Sequence, residues 1–235
     1  MLPIALLAGG MATRLGKLTE GKAKSLIEIE GRPFIDYQLR AFASAGFERV
    51  VICVGNLAEQ IKQFAGDGSQ YNLDIQYSYD GPEQRGTGGA IKQALDLLGS
   101  NFFVQYGDSF LTLNYLKMES TFQSDPRKCL MSVYQNNGSF DMSNVILLDE
   151  GSIRYSKSNP HSNMNFIDYG CMVINHESFK EFVAPVRFDL SEYLEFLSVK
   201  DLLKGFQAED RFFEIGSLTG IQDFEQYVRS KPREF

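Results

Sequence analysis

Residues 3–10, PIALLAGG, form an apolar run that ends in two glycines. A short apolar run without polar alternation is typical of a strand that is buried on both faces of a sheet. A helical pattern follows at residues 33–46, with apolar side chains at helical spacing and a glycine at its end. Strand, glycine turn and helix in this order predict the start of a βαβ unit.

The same alternation continues through the first half of the chain. Strand patterns stand at residues 49–54, 74–79 and 102–106, and helical patterns lie between them at residues 57–66 and 87–98. Repeated βαβ units with short connections predict a mostly parallel sheet with helices on both faces. In such sheets, ligands bind beyond the carboxyl ends of the strands. The segments that follow the strands are therefore the first place to search for a site.

The second half has a less regular pattern. It predicts a hairpin at residues 144–157 with its turn at Glu150 and Gly151, a strand at 165–174 and a helix from Asp189 to Lys204. A short strand at residues 211–216 and a closing helix at 218–228 complete it. No linker-like or repetitive stretch interrupts the chain, so we expect one continuous domain over residues 1–235, with the later strands forming a lobe over the rim of the sheet.

Composition excludes some classes of partner. The chain has 23 basic and 30 acidic residues, and a formal net charge of -7 disfavours nucleic acids and anionic membranes, which are themselves polyanions. No apolar stretch approaches the about 20 residues that span a bilayer. The three cysteines lie in separate apolar runs, and the first residues lack the basic start of a signal peptide. We therefore expect a cytoplasmic protein; its oligomeric state stays open, a homo-oligomer included.

The first candidate for chemistry is the glycine turn after the first strand, together with two cations. Gly9 and Gly10 allow a tight turn whose N–H groups face phosphate oxygens. Arg14 and Lys24 follow, and both would hold a triphosphate and offset charge that builds up during phosphoryl transfer. The alternative is an ordinary turn with solvated cations. The spacing matches neither GxGxxG nor GxxxxGK[ST], so dinucleotide binding and P-loop chemistry are disfavoured.

Two later segments add a glycine-rich helix start and carboxylates. Residues 86–89, GTGG, open the helix at 87–98, and glycines there leave room for a base or ribose; close packing of the helix is the structural alternative. Asp108 stands at the end of the 102–106 strand, where a carboxylate is well placed for Mg²⁺, or else caps the next element. Glu214 offers a second carboxylate from a late strand.

Taken in order, these segments resemble the sugar nucleotidyltransferase family, the pyrophosphorylases that make nucleoside diphosphate sugars. Residues 7–15 and 23–35 correspond to the family pattern LAGGxGTRL followed by PKxLxxIxGxPxI. Residues 86–90 correspond to its base-binding GTxxA element, residues 106–108 to its metal-binding GD, and residues 213–217 to a DIGTP-like element. The resemblance covers almost the whole chain. Its short branch includes heptose and mannose 1-phosphate guanylyltransferases and muramic-acid-type uridylyltransferases.

The resemblance implies a role for each matching residue. Arg14, Lys24 and Asp108 would be catalytic, and Asp108 and Glu214 would hold Mg²⁺. The nucleotide would contact Leu7, Ala8, Gly9, Gly10, Met11, Ala12, Thr13, Arg14, Lys24, Gly86, Thr87, Gly88, Gly89 and Asp108. The sugar phosphate would contact Asn144, Lys157, Asp168, Tyr169 and Gly170. Residues 1–110 would then be the nucleotide-binding part, and residues 111–235 the sugar-phosphate-binding part with the closing helices.

Four positions depart from the family pattern. Ala12 replaces a glycine and Ala23 a proline, which changes the backbone around the phosphate cations. Glu214 replaces an aspartate, so a second metal becomes less certain. Asp168 places a charge where the family often has the neutral amide of an Asn-x-Gly segment, which points to an unusual sugar.

The fold implied by the resemblance is α/β: a Rossmann-like, mostly parallel mixed sheet flanked by helices, of the nucleotide-diphospho-sugar transferase (GT-A-like) type, with a small sugar-binding lobe. The implied reaction is Mg²⁺-dependent transfer from an NTP to a sugar 1-phosphate, with GTP and a heptose or hexose 1-phosphate favoured. Its product would supply cell-surface polysaccharide or glycoconjugate synthesis. Since a sugar phosphate is already anionic near neutral pH, no strong general base is required.

Two alternatives stay open at this point. A nucleotide-sugar-dependent glycosyltransferase would more often carry an Asp-x-Asp metal motif, whereas this chain has Gly107-Asp108-Ser109. A regulatory subunit would bind nucleotide sugars without turnover, but it would be free to lose the phosphate cations or the metal carboxylate. Retention of Arg14, Lys24 and Asp108 favours the enzyme.

Overall fold

The computed structural model describes residues 1–10, 21–125 and 127–231. Its helices are α1 Phe34–Ala45, α2 Ala58–Ala65, α3 Gly86–Leu98, α4 Tyr115–Gln123, α5 Leu190–Val199 and α6 Leu218–Ser230. Its strands are β1 Ile4–Leu7, β2 Glu28–Ile29, β3 Arg32–Pro33, β4 Arg49–Val54, β5 Asp74–Tyr79, β6 Asn101–Tyr106, β7 Ser109–Phe110, β8 Cys129–Gln135, β9 Val145–Leu147, β10 Ile153–Tyr155, β11 Phe166–Asn175, β12 Leu203–Gln207 and β13 Phe213–Glu214.

One mixed sheet forms the centre of the molecule. Its continuous order is β10-β9-β11-β6-β1-β4-β5, and β8 pairs with β11 and β12. The strands β6, β1, β4 and β5 are parallel, so their carboxyl ends meet at one edge. β11 runs antiparallel to β6 and joins the second half of the chain to the first. This confirms the α/β fold with a mixed sheet that the sequence predicts.

Helices cover both faces of this sheet because its strands are buried on both sides. In β1, Ile4 and Leu6 pack on one face with α1, α2 and α4, whereas Ala5 packs on the other with α3 and α5. A third, smaller core joins α6 to α1 around Phe34 and Phe224. The three cysteines are buried, unpaired thiols, as expected from their apolar surroundings.

The structure differs from the sequence-based expectations in the second half. The helix predicted from Asp189 to Lys204 ends at Val199, and Lys204 lies in β12, where it pairs with Leu130 of β8. The predicted hairpin is confirmed as β9 and β10, whereas α4 and β8 were not predicted. The later strands extend the central sheet beyond β6 instead of lying over its rim, because β11 pairs directly with β6.

Candidate active site

A cavity of about 460 Å³ lies at the carboxyl ends of the parallel strands. That volume is in the range of small-molecule sites. The segments after β1, β5 and β6, the start of α3 and the segment before α5 supply its walls. Its lining residues are Leu7, Ala8, Gly9, Gly10, Lys24, Ser25, Cys53, Asp80, Gln84, Gly86, Thr87, Ala90, Tyr106, Gly107, Asp108, Arg187 and Asp189. The structure thus brings the predicted strand-end segments together.

The segment after β1 forms the floor of the cavity with backbone rather than with side chains. Ala8 donates its N–H to Cys53 O at 2.9 Å, which anchors the segment to β4. Gly107 lies against it so closely that an added Cβ would stand 2.4 Å from Leu7 O. A larger residue at Gly107 would displace the β1 segment, so this glycine is required by packing. Met11, Ala12, Thr13 and Arg14, which continue the predicted phosphate loop, lie outside the described residues.

Lys24 and Asp108 form an ion pair inside the cavity. Lys24 Nζ donates to Asp108 Oδ2 at 2.7 Å, and their side chains are 17% and 43% exposed. Lys24 begins a single 3₁₀ turn that the backbone of Ala23 enters in an extended conformation, with its N–H on Gln60 Oε1. The second Asp108 oxygen accepts only a 3.3 Å contact from the hydroxyl of Ser109 among the described residues. One oxygen therefore stays available to a ligand.

Glu214 lies beside this pair, but its carboxylate is engaged with its own turn. It accepts hydrogen bonds from the N–H groups of Gly216 and Ser217 and from the Ser217 hydroxyl. An added Cβ at Gly216 would stand 2.8 Å from Glu214 Oε2 and 3.2 Å from Lys24 Nζ, so carboxylate and ammonium are near neighbours. Glu214 stabilises the turn that begins α6, and to bind a metal it would have to share these acceptor sites.

The glycines at the start of α3 all pack against the segment before α5, and Gly86, whose added Cβ would stand 2.5 Å from Phe188 O, also lines the cavity. Thr87 lines the cavity as well. Gly88 and Gly89 meet the same segment: a Cβ on Gly88 would stand 2.2 Å from the Phe188 ring, and one on Gly89 would stand 2.7 Å from Val186 O. Both of their N–H groups donate to Phe188 O. The alternative of close packing, weighed from the sequence, therefore accounts for Gly88 and Gly89.

Several cavity residues escaped the sequence analysis. Asp80 follows β5 and is 8% exposed, with its pKa raised by burial; its Oδ2 accepts only a 3.5 Å contact from Arg85 N among the described hydrogen bonds. The signal for Asp80 was its position directly after a parallel strand. Arg187 and Asp189 reach the cavity through long-range contacts, since Leu190 N donates to Thr87 Oγ1 at 2.8 Å. No local pattern indicates those contacts.

Asp168 lies on β11, next to the β6 end of the cavity. Its Oδ2 accepts from the hydroxyl of Tyr106 at 3.1 Å, and its Oδ1 accepts from Gly170 N at 2.9 Å. Burial raises the pKa of Asp168 to about 6, although these hydrogen bonds and the charge of Lys157 oppose the rise. The register shifts between Asp168 and Met172, and Gly170 has φ +102°, which turns the bulge towards Tyr106 and Ser109.

The other predicted sugar-phosphate residues surround Asp168. Asn144 Oδ1 accepts from Asp168 N at 3.0 Å. The loop that carries Lys157 wraps around Glu195 of α5, whose Oε1 accepts from the N–H groups of Lys157 and Ser158 at 2.7 and 3.0 Å. Lys157 itself is exposed.

Tyr169 has a different position from that of its neighbours on β11. Its side chain is buried in the core with α4, against Phe212, and its hydroxyl reaches Arg211 O at 3.4 Å. Successive side chains alternate across a strand, so Tyr169 and Asp168 point to opposite faces. The structure therefore places Asn144, Lys157, Asp168 and Gly170 together but separates the Tyr169 side chain from them.

Neither a cluster of metal-ligating side chains nor a membrane-spanning helix is found in the described residues. Within the described ranges, no cluster of three or more His, Cys, Asp or Glu side chains is arranged to hold a metal ion. No helix there has the length and apolar character needed to cross a bilayer. His176 lies at the opposite end of β6 from the cavity, where its N–H donates to Ser100 O.

The sequence model of the Nucleotidyl transferase family matches residues 4–139, more than half of the chain. This chain belongs to the nucleotidyl transferase family. The match contains Lys24, Asp80, the start of α3 and Asp108, so the cavity is built mainly from the family segment.

Individual relatives of this nucleotidyltransferase agree with the family. The D-glycero-alpha-D-manno-heptose 1-phosphate guanylyltransferase of Campylobacter jejuni is 26% identical over 212 residues, which cover 90% of this chain and 93% of the relative. The N-acetylmuramate alpha-1-phosphate uridylyltransferase of Neisseria meningitidis is 38% identical over 125 residues, about half of each chain. The crystal structure of HddC from Yersinia pseudotuberculosis has the same fold, with a TM-score of 0.80 at 21% identity over 97% of this chain and 100% of that one.

Proposed function

We propose that this nucleotidyltransferase joins an NTP to a sugar 1-phosphate and releases pyrophosphate, with GTP and a heptose or hexose 1-phosphate as the favoured substrates. The observation that carries the proposal is the cavity at the carboxyl ends of the parallel strands, which gathers the glycine-containing segment after β1, Lys24 and Asp108. A relative from Campylobacter jejuni that matches over most of both chains is named for the same class of reaction.

The chemistry requires positioning and charge neutralisation more than proton transfer. An acceptor phosphate oxygen attacks the α-phosphorus in line, and pyrophosphate leaves with the electrons of the α–β bridging P–O bond. Phosphate monoesters lose their second proton near pH 6, so the nucleophile is already anionic at neutral pH. Repulsion between the anionic substrates is the main obstacle. Lys24 lies 17% exposed at the cavity, where its charge is poorly screened and acts strongly on a phosphate.

Mg²⁺ is part of the proposal, and the side chains fit it in one way. Asp108 offers a hard oxygen that faces the cavity, whereas Glu214 is hydrogen-bonded to its own turn. Mg²⁺ typically binds through one or two carboxylates plus substrate phosphates, and it keeps several waters. Asp108 is therefore the first ligand we propose, and Glu214 the second only if it turns. When bound, Mg²⁺ would neutralise charge on the phosphates.

Asp80 supports the choice of GTP. Asp80 follows β5 and Asp108 follows β6, three positions away in the order of the sheet, so the two carboxylates line different parts of the cavity. If the phosphates lie at Lys24, the base extends towards Asp80. Guanine presents two adjacent donors on one edge, and a carboxylate that lacks a strong donor can accept both. Uracil and thymine present a single N–H donor flanked by two carbonyl oxygens, and those oxygens repel a carboxylate that approaches the donor.

The wider setting is an extension of the same proposal. A nucleoside diphosphate sugar is an activated glycosyl donor, so we propose that the product feeds cell-surface polysaccharide or glycoconjugate synthesis. We further propose that the reaction takes place in the cytoplasm. The buried, unpaired thiols of Cys53, Cys129 and Cys171 support a reducing compartment.

The test is pyrophosphate release by the purified protein with Mg²⁺, each of five NTPs and a panel of sugar 1-phosphates. We expect release to require GTP and one sugar phosphate, and to be lost in Asp108→Ala. An exposed acidic residue, Glu83, supplies the matched control as Glu83→Ala, with unchanged rates. Binding of an NTP without release for any pair would contradict the enzyme and favour a regulatory protein.

A further inference from the structure

Asp168 is a half-buried carboxylate that the reaction chemistry leaves without a role. It lies on the bulge of β11 and contacts Tyr106, a cavity residue two positions before Asp108. An amide at this position would form the same hydrogen bond with Gly170 N and would carry no charge. Removing a carboxylate partly from water raises the free energy of the folded protein, and the raised pKa of Asp168 shows that its two hydrogen bonds and Lys157 do not fully offset this cost. The hydrogen bonds alone therefore do not explain why the residue is acidic.

The hydrogen bond to Asp168 fixes the polarity of Tyr106. A tyrosine hydroxyl has one hydrogen and can either donate or accept. Because an ionised Asp168 can only accept, the Tyr106 hydrogen must point at Oδ2, 3.1 Å away. The lone pairs of Tyr106 then remain for a ligand. Together the two side chains offer hydrogen-bond acceptors but no donor to whatever binds beside them.

The surrounding charges are unequal. Lys157 is close enough to lower the pKa of Asp168, and it is the cation proposed for the acceptor phosphate. Asp108 lies on the other side of Tyr106 and has Lys24 as its partner. With Lys157 engaged by the acceptor phosphate, the cation that offsets Asp168 is occupied, and the sugar meets the negative charge of Asp168 next to Tyr106. A hydroxyl or amino group is stabilised there, whereas a carboxylate meets the like charge of Asp168.

We propose that Asp168, acting with Tyr106, determines acceptor specificity by selecting a sugar 1-phosphate whose ring substituents are hydroxyl or amino groups, and by rejecting one with a second acid group. This inference rests on the proposed function, because it assigns the acceptor side of the same cavity. It separates the two kinds of relative described above: a neutral heptose 1-phosphate fits, whereas N-acetylmuramate 1-phosphate, which carries a lactyl carboxylate, does not.

The experiment compares acceptors that differ in a single acid group. Glucose, galactose and mannose 1-phosphates are each paired with the corresponding uronic acid 1-phosphate, and N-acetylglucosamine 1-phosphate is paired with N-acetylmuramic acid 1-phosphate. For each pair, kcat and KM for pyrophosphate release are measured at pH 7.5 with the active NTP. Equilibrium binding of the same pairs is measured by calorimetry with Mg²⁺ and a non-hydrolysable NTP, which reports on specificity even without turnover.

We expect the wild-type protein to prefer the neutral member of at least one pair by about tenfold or more, mainly through KM. Asp168→Asn keeps the shape of the side chain and should reduce this preference to about threefold or less. Tyr106→Phe should raise KM for the neutral sugars without improving the acid ones. Asp149→Asn, in the exposed turn between β9 and β10, is the control and should leave every ratio unchanged.

Three results would overturn the inference. The first is equal use of neutral and acid members by the wild-type protein. The second is an unchanged preference in Asp168→Asn that melts like the wild type. The third is a lower melting temperature of Asp168→Asn at pH 7.5, which would make the charge a structural requirement of the bulge. If the proposed function is wrong, no pair of substrates releases pyrophosphate. The ratio of binding constants for the neutral and acid acceptors would still test the role of Asp168.

Discussion

The two sides of the cavity are built in different ways. On the β4–β5 side, the walls are mainly the ends of parallel strands and the start of α3, which packs against Phe188, with the Asp80 carboxylate added after β5. On the β11 side, a bulged antiparallel strand presents a network of side chains that joins Asn144, Asp168 and Tyr106. Backbone groups suit the parts that every nucleoside triphosphate shares, whereas side chains are free to differ. If the substrates bind as proposed, Asp80 on the nucleotide side and Asp168 on the acceptor side set specificity, whereas the backbone between them suits any NTP.

The largest effect is expected where both sides meet. Lys24→Ala removes the cation beside Asp108 and should lower kcat by about 10²–10³ with every NTP and acceptor, as for other groups that stabilise transition-state charge. Steady-state rates measure this. Lys22→Ala is the control, because Lys22 is exposed and pairs only loosely with Glu28 at 3.8 Å. If Lys24→Ala kept its activity within a few-fold of the wild type, Lys24 would not be the cation that stabilises charge in the transition state.

The next effect sharpens the nucleotide side. Asp80→Asn replaces an acceptor-only group by an amide and should reduce kcat/KM for GTP by about 10–10², since a bidentate base contact contributes about 1–3 kcal/mol. Preference for GTP over UTP should fall with it, while KM for the acceptor stays constant. Arg85 should keep its place, because its Nε donates to Asp80 O in the backbone. Equal losses for all NTPs would show that Asp80 supports the loop instead.

The acceptor side predicts a change in stability with pH. The pKa of Asp168 is raised to about 6, above its value in an unfolded chain, so its ionisation destabilises the folded state; the loss of stability develops as pH rises from about 4 and is complete above about 6. Asp168→Asn should therefore raise the free energy of unfolding by on the order of 1–2 kcal/mol at pH 7.5, and the gain should shrink as pH falls towards 5. Denaturant unfolding at several pH values measures it; a pH-independent difference would contradict the assignment.

The smallest effect tests how the acceptor side is held. Glu195→Gln weakens the acceptor that binds two N–H groups and two hydroxyls of the 156–158 loop. Charge-assisted hydrogen bonds are about twice as strong as neutral ones, so we expect a rise of a few-fold in KM for the sugar phosphate with little change in kcat. The exposed Glu192 is a poor control because it caps α5, and Glu181 is better. A change confined to the NTP would refute this role.

The parallel half of the fold was predictable because its signals are local. Gly9, Gly86 and Asp108 follow buried strands in the sequence, and the carboxyl ends of parallel strands meet at one edge. Arg187 was not predictable, since its position depends on a hydrogen bond between Leu190 and Thr87, 103 residues apart. For the same reason, a sequence pattern could not separate Gly86, which lines the cavity, from Gly88, which packs on Phe188.

The α5 helix contacts both the start of α3 and the loop that carries Lys157. Its first residue, Leu190, donates its N–H to Thr87 at the start of α3. Glu195, in the middle of the helix, accepts a hydrogen bond from the N–H of Lys157. A nucleotide that contacts Thr87 and a sugar phosphate that contacts Lys157 would therefore both act on the position of α5. If binding of either substrate shifts α5, each substrate must change the dissociation constant of the other by the same factor. If both substrates bind as proposed, one ten-residue helix would couple the affinity for the nucleotide to the affinity for the sugar phosphate.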